Sequence, residues 1–208
     1  MLGEIVIEKE FRGFKPGDRF VFRSGVNLLV GDQGAGKSTL LAAVAAAAGF
    51  KRAFVRATAG IPNGFARVER VNGAPVRSFA FDFERDNPRV GSVLGGSEIL
   101  PFEADLMSRF MSHGQFALKL LLPMAELREP RFVLLDEPDA GLSPVSALRF
   151  AAAMRAAAGA GAQIVAAVHN PWLIESFPEV LDVAARAWRP SSEFLDAQRA
   201  LAAEGVLP

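Results

Sequence analysis

Eight consecutive residues in the first third of the chain have the types and spacing that bind a phosphate group. They run Gly31-Asp32-Gln33-Gly34-Ala35-Gly36-Lys37-Ser38, with Thr39 next, and fit the pattern G-x-x-x-x-G-K-[ST] in full. Glycines allow backbone conformations that aim several N–H groups into one concavity, at the positive end of a following helix. Lys37 adds a point charge for the β- and γ-phosphates, and the Ser38 hydroxyl is a ligand for Mg²⁺. The pattern therefore predicts a nucleotide site at residues 31–39.

A second group of reactive residues follows a short apolar run. Phe132 to Leu135 is unbroken and apolar, and Asp136 and Glu137 come directly after it. In an open α/β sheet the ligand lies at the carboxyl ends of the strands, so Asp136 is expected beside the phosphate loop, where it can hold Mg²⁺ directly or through water. Glu137 is then the natural residue to orient and deprotonate an attacking water. The alternative is a turn or helix-capping pair at a strand end.

The elements around these residues predict an α/β fold with a mainly parallel sheet. Val26–Val30 is a short, nearly continuous apolar run, typical of a strand buried on both faces, and Lys37–Ala48 is rich in alanine and leucine, typical of a helix. Strands alternating with helices in the last third imply βαβ units. The predicted strands there are Phe132–Leu135, Ala162–Val168 and Val180–Ala184, and the predicted helices are Pro144–Ala158, Pro171–Phe177 and Ser191 to about Glu204.

Alternating apolar and polar residues predict an antiparallel layer as well. Glu4–Glu8 and Arg19–Arg23 have this period of two, which is typical of half-buried strands. Phe65–Val71 and Pro75–Phe83 are separated by Asn72–Gly73, a strong hairpin signal. Residues 84–101 are expected to form a loop, and the spacing becomes helical between Glu103 and Leu127.

Composition excludes several classes of protein. The chain has 208 residues, no cysteine, 50% hydrophobic residues and a net charge of zero. Without cysteine there is no disulfide framework, thiol nucleophile or cysteine-ligated metal. No apolar run approaches the roughly 18 residues of a membrane span, and the N-terminus is unlike a signal peptide, so a cytoplasmic location is expected. Zero net charge argues against coating nucleic acid by bulk electrostatics, although residues 1–56 carry nine basic and five acidic groups.

Three further stretches resemble the ABC-type ATPases. Asp136–Pro144, which reads D-E-P-D-A-G-L-S-P, resembles their Walker B and D-loop segments, and Ile164–Pro171 resembles their switch-histidine segment. Met111–Gln115 resembles the signature motif, with His113 where transporters usually carry glycine. The pattern is most similar to the soluble branch that includes the RecF/SMC-type repair ATPases and the OLD-like predicted ATPases.

The resemblance implies roles for three more residues. His169 would donate a hydrogen bond to the γ-phosphate or to the attacking water; the alternative is a core or capping histidine. Ser112 and Gly114 would meet the ATP of an opposite subunit, so that two protomers enclose two ATP molecules; the alternative for Ser112 is a plain helix N-cap. The order Lys37, Ser112, Asp136, His169 matches that of the family.

The sequence also departs from the family pattern. No glutamine lies between Thr39 and Ser112, where the family has its Q-loop residue. Four residues are open as substitutes: Asn63, Asn72, Asp82 and Asn87. Three residues are open as the aromatic that stacks on adenine: Phe11, Phe14 and Phe20. Arg12 occupies a position where relatives often have a basic residue close to the nucleotide.

The predicted organisation is a single ATPase domain over residues 1–208. Residues 1–55 and 105–208 form the nucleotide-binding core, and residues 56–104 form a hairpin-rich insert, too short for the coiled coil of long-armed relatives. The predicted function is Mg²⁺-dependent ATP hydrolysis by a homodimer that serves DNA repair, recombination or phage defence. The alternative is an ATP-gated module with negligible turnover that acts on a separate effector chain. The shortened middle region argues against a transporter subunit.

Overall fold

Short apolar runs form the central strands of the larger of two sheets. The structure, a computed structural model, describes residues 1–47, 59–70, 77–82 and 131–204. Because the central strands are covered on both faces, their side chains are buried without alternation: Val133 and Leu135 lie in one core, and Phe132 and Leu134 in the other. The strands of this sheet are β3 (Val26–Val30), β5 (Arg77–Asp82), β6 (Arg131–Asp136), β7 (Gln163–Ala167), β8 (Glu179–Asp182) and β9 (Ala187–Pro190).

The order of this sheet brings the predicted motifs to one edge. Its strands lie in the order β5-β6-β7-β3-β8-β9, with parallel pairing from β5 to β8 and antiparallel pairing of β9. The phosphate loop follows β3, the acidic pair ends β6, and His169 follows β7. Strand β7 lies between β6 and β3, and Asp136 at the end of β6 still lies beside the phosphate loop, as the sequence predicts. The mainly parallel α/β fold is confirmed.

A three-stranded antiparallel sheet covers one side of the larger sheet. Its strands are β1 (Leu2–Ile7), β2 (Arg19–Val21) and β4 (Ala66–Arg70), in the order β2-β1-β4. The predicted antiparallel layer is therefore present.

The predicted hairpin between β4 and β5 is wrong. Strand β4 pairs antiparallel with β1, whereas β5 pairs parallel with β6 in the other sheet. The Asn72–Gly73 signal predicts a tight turn, but the apolar pairing surface offered by β6 decides where β5 lies. The remainder of the predicted insert, including residues 84–101, and the predicted helical region 103–127 lie outside the described residues.

Four described helices complete two cores on opposite faces of the larger sheet. They are α1 (Lys37–Ala47), α2 (Pro144–Gly159), α3 (Pro171–Glu175) and α4 (Ser191–Ala203). One core contains Phe150 and Met154 of α2 together with residues of α3 and α4, and the other contains Leu40 of α1 and Phe20 of the antiparallel sheet. No helix in the described ranges is long and apolar enough to cross a membrane.

Strand β9 was not predicted from the sequence. It has four residues, ends in Pro190 and lies at the sheet edge, where a proline is tolerated. Trp188 fixes it by contacts remote in sequence: its indole N–H donates to the Val21 carbonyl at 2.8 Å, and the Arg23 guanidinium lies 4.1 Å from the centre of its ring. These contacts join the edge of the large sheet to the antiparallel layer.

The side chain of Gln163 also ties the two sheets together. It is 1% exposed at the start of β7, and it forms two hydrogen bonds with the backbone of Leu2, accepting from the N–H at 2.7 Å and donating to the carbonyl at 2.8 Å. It also donates to the Arg23 carbonyl at 2.9 Å. This one amide therefore satisfies three backbone groups of the antiparallel layer.

We expect Gln163→Ala to lower the free energy of unfolding by about 3 kcal/mol, because it leaves buried backbone donors and acceptors without hydrogen-bond partners. Urea unfolding followed by circular dichroism measures this change. Gln198→Ala on the half-exposed part of α4 is the matched control, with an expected change below about 0.5 kcal/mol. Equal effects of the two substitutions would contradict the role assigned to Gln163.

Candidate functional site

The phosphate loop has the backbone conformation that its glycines permit. Gly31, Gly34 and Gly36 have φ values of 145°, 83° and 92°. Gly36 is also constrained by contact, since a Cβ atom there would come within 2.6 Å of the Phe14 ring. Phe14 is 3% exposed and packs edge-on against Phe20 and Phe65. The antiparallel layer thus supports the loop directly from below.

Lys37 folds back into the loop that precedes it. Its ammonium group donates to the carbonyls of Gly31 at 2.7 Å and Asp32 at 3.0 Å, and the residue is 5% exposed. Burial lowers the pKa of Lys37, against the opposing effect of nearby carboxylates, first that of Glu137. Gln33 and Gly34 are exposed at the tip of the loop, and Ala35 and Gly36 are half-buried. Thr39 is 5% exposed, in the first turn of α1.

Ser38 and Asp136 meet although 98 residues separate them. The Ser38 hydroxyl donates to Asp136 Oδ1 at 3.0 Å. Both residues are half-buried at the carboxyl edge of the sheet. A hydroxyl and a carboxylate oxygen are hard ligands of the kind that Mg²⁺ takes in proteins. The predicted metal-ligating pair is thus brought together.

Strand register shows which of the candidates to replace the missing glutamine lies at the ligand edge of the sheet. Asp82 ends β5, and its Cα lies opposite that of Asp136. Asn63 is exposed in a turn outside the larger sheet, where its carbonyl accepts from the Lys9 ammonium. Asn72 and Asn87 lie outside the described residues. Among the residues that the structure describes, Asp82 is thus the candidate whose backbone lies at the ligand edge.

Glu137 and His169 form a pair across two neighbouring strand ends. His169 Nε2 lies 3.3 Å from Glu137 Oε1, and about half of each side chain is exposed. Hydrogen bonding to His169 lowers the pKa of Glu137, with burial opposing the shift. Glu137 has a φ of 47°, a sparsely populated conformation for a residue with a side chain, and its N–H donates to the Ala167 carbonyl at 3.0 Å. The alternative of a buried core histidine is thus excluded by the exposure of His169.

Asp139 belongs to the same edge and was not predicted as a site residue. It is 3% exposed, and its Oδ2 accepts from the N–H groups of His169 at 2.7 Å and Asn170 at 2.5 Å. Its other oxygen is buried and has no hydrogen-bond partner among the residues that the structure describes. In the sequence it is one more acid after a strand, and nothing local signals that its carboxylate is buried under a segment 30 residues away.

The aromatic residues at the start of the chain are mostly structural. Phe14 and Phe20 are 3% and 0% exposed, so neither is open to stack on a base. Phe11 is half-buried, with the Arg12 guanidinium 4.8 Å from the centre of its ring. Arg12 also donates to the Ala59 carbonyl at 3.3 Å. The predicted signature residues Ser112 and Gly114 lie outside the described residues.

Comparison with known proteins agrees with this α/β P-loop architecture. A family model described as "AAA domain" matches residues 7–94. The crystal structure of a nucleotide-free ATP-binding cassette from an ABC transporter superposes with a TM-score of 0.55 at 17% identity, over 95% of this chain and 94% of that chain. A second ABC transporter cassette, in its ADP conformation, gives a TM-score of 0.48 at 16% identity, over 88% and 87% of the two chains.

One curated relative extends the similarity to the sequence. It is the cytochrome c biogenesis ATP-binding export protein CcmA of Chelativorans sp. (strain BNC1), which is 31% identical over 166 residues, covering 74% of this chain and 82% of that protein. The chain belongs to the ABC-type ATPase family.

The contact between Gly36 and Phe14 yields a test. Gly36→Ala should lower nucleotide affinity and the free energy of unfolding, because it adds a clash to the roughly 1–2 kcal/mol cost of a left-handed alanine. Gly34→Ala is the control: its φ is also positive, but a Cβ there meets no atom of the described residues within 4 Å. In urea unfolding, Gly36→Ala combined with Phe14→Ala should cost at least about 1 kcal/mol less than the sum of the single changes. Strict additivity would contradict the support role of Phe14.

Proposed function

We propose that this protein binds Mg²⁺–ATP at residues 31–39 and hydrolyses it. The observation that carries the proposal is the convergence of two pairs at one sheet edge, Ser38 with Asp136 and Glu137 with His169. A turn or capping role for the acidic pair would not require a serine from the phosphate loop or an exposed histidine from a third strand. Metal-assisted phosphoryl transfer needs both a metal-binding pair such as Ser38 and Asp136 and a water-positioning pair such as Glu137 and His169.

The residues present fit a magnesium ion. Ser38 Oγ and Asp136 Oδ1 would supply two neighbouring oxygen ligands, and phosphate oxygens of the nucleotide and water would supply the others. A cation would also offset repulsion between the nucleotide phosphates and the carboxylates of Asp136 and Glu137, which lie near Lys37. When bound, the ion would neutralise charge that develops on the phosphate oxygens.

The protein's own groups then divide the work of hydrolysis. When ATP binds, Lys37 exchanges its two carbonyl contacts for phosphate oxygens. Its buried positive charge is then paired with negative charge. Glu137, whose ionised form is stabilised by the hydrogen bond with His169 that lowers its pKa, orients the attacking water and accepts its proton. His169 holds the Glu137 carboxylate from the neighbouring strand end and donates to the γ-phosphate or to that water. Asp82 is our candidate for the role of the missing glutamine.

We further propose that two copies of the chain enclose two ATP molecules. The support is the match of Met111–Gln115 to the signature motif, which gives Ser112 and Gly114 the contact with the ATP bound by the partner protomer. Within the described part of the chain, about half of each of the Glu137 and His169 side chains is exposed, which is compatible with a partner protomer covering them. The missing glutamine supports an alternative function. In this alternative the protein dimerises on binding ATP, hydrolyses it at a negligible rate and acts on a separate effector.

Two cellular settings are supported by different observations. The D-E-P-D-A-G-L-S-P run and His113 in the signature favour the soluble RecF/SMC-like and OLD-like branch, with DNA repair or phage defence as the process. The similarity to an ATP-binding export protein favours a second candidate, the energy-supplying subunit of an exporter, which the sequence alone did not favour. The same hydrolytic site serves both.

Glu137→Gln tests the hydrolytic site. We expect phosphate release to fall at least about 100-fold because the amide cannot accept the proton. ATP binding should persist, so the variant should elute as an ATP-dependent dimer in size-exclusion chromatography. Glu193→Gln, an exposed residue of α4, is the control and should release phosphate at the wild-type rate. A monomeric Glu137→Gln protein, or one with wild-type turnover, would count against these roles. A second check measures phosphate release by the wild-type protein over a series of protein concentrations. A rate per mole of protein that does not change with concentration would contradict the dimer that encloses ATP.

Stimulation of turnover separates the two settings. The DNA-linked proposal expects phosphate release to rise on addition of double-stranded or single-stranded DNA, with a response that weakens as salt increases. The exporter proposal expects no response to DNA and stable co-purification with an integral membrane protein in detergent. Wild-type phosphate release below detection under both conditions would favour the low-turnover module.

A further inference from the structure

The buried carboxylate of Asp139 joins two segments that come together only in the folded chain. One is the acidic turn, residues 137–142, and the other is the switch segment, residues 168–170, which carries His169. Two successive N–H groups of the switch segment converge on Asp139 Oδ2, at 2.7 and 2.5 Å. Successive amides directed at one anion form a small nest, and hydrogen bonds to a charged acceptor are about twice as strong as neutral ones.

The connection also runs in the opposite direction. Asn170 of the switch segment donates through its side-chain amide to the Leu142 carbonyl of the acidic turn at 3.1 Å. The same side chain accepts from the N–H groups of Trp172 and Leu173 and so caps α3. We name the reciprocal bonds between the two segments, those of Asp139 and of Asn170, the clasp. It fixes the switch segment on both sides of the His169 backbone.

We propose that Asp139 is a positioning residue for catalysis: it holds the backbone of His169 so that the imidazole reaches Glu137. The inference rests on the proposed function. His169 makes its backbone contact with Asp139 and its side-chain contact with Glu137, two positions apart in one turn. The acidic turn therefore contacts His169 through both its backbone and its imidazole. A displacement of the switch segment would separate Nε2 from the carboxylate that activates water.

The cost of this arrangement indicates that it is not a simple packing feature. Asp139 Oδ1 is buried with no hydrogen-bond partner in the described ranges, and burial raises the pKa of Asp139, although the N–H groups of Asn170 and His169 oppose the shift. A fold needing only a turn here would be served by a small neutral side chain. Asp182 shows the ordinary solution: it also accepts two backbone N–H bonds, from Ala184 and Ala185, but its second oxygen pairs with Arg189 at 3.1 Å.

A double-mutant cycle with His169 tests the proposal. Asp139→Ala should lower kcat for ATP hydrolysis about 10- to 100-fold, because a displaced catalytic group costs about that much. KM should change less than about threefold, since the phosphate loop is not touched. In a His169→Ala background the same substitution should lower kcat by less than about twofold, because the group it positions is already gone. Asp139→Asn keeps an accepting oxygen for both N–H groups and should recover most of kcat.

Asp182→Ala is the matched control, since it also removes a buried carboxylate that holds two backbone amides. Whatever it does to stability, its effect on kcat should be the same with and without His169. The proposal is overturned if Asp139→Ala lowers kcat by the same factor with and without His169, or if it leaves kcat at the wild-type value.

Hydrogen exchange gives a readout that needs no ATP and no variant. In the nucleotide-free wild-type protein, the amides of His169 and Asn170 should exchange at least about 100-fold more slowly than in the unfolded chain. Rapid exchange of both would overturn the clasp, even if the chain is an active ATPase. Slow exchange in a wild-type protein that never hydrolyses ATP would instead overturn the proposed function and confine Asp139 to anchoring the segment.

Discussion

The site depends on the adjacency of three parallel strands whose carboxyl ends meet at one edge. Strands β6, β7 and β3 are neighbours, and they end in the acidic pair, the switch histidine and the phosphate loop. Parallel pairing aligns strand ends of the same polarity, so groups as far as 98 residues apart in the chain come within hydrogen-bond distance. The pairs Ser38–Asp136 and Glu137–His169 are consequences of this order.

The surrounding elements hold this edge from two sides. Below the phosphate loop, Phe14 of the antiparallel layer touches Gly36, and Gln163 bonds that layer to β7, the strand that leads to His169. At the edge itself, the carboxylate of Asp139 and the amide of Asn170 lock two turns together. The layer and the clasp therefore support the candidate site through contacts with the phosphate loop and with the segment that carries His169.

Local patterns predicted most elements because each is stabilised by its own sequence. The buried strand Val26–Val30 agrees with the structure residue for residue, since a nearly continuous apolar run has few stable placements other than the sheet centre. Helix α2 begins at the predicted Pro144, after a Ser143 cap. The failures are pairing decisions: the hairpin between β4 and β5 does not form, and the edge strand β9 was missed. A turn signal states that the chain can reverse, but partner surfaces elsewhere in the chain decide which strand it joins.

The sequence by itself determined the chemistry, because the phosphate loop, the acidic pair and the histidine are defined by residue type and spacing. Only the tertiary structure decided their mutual placement: β7 between β6 and β3, Asp82 opposite Asp136, and Phe14 beneath Gly36. It also excluded Phe14 and Phe20 as base-stacking residues and revealed the buried hydrogen bonds of Asp139. The physical reason is that burial and long-range hydrogen bonds belong to pairs of distant segments, and a linear sequence does not state which segments meet.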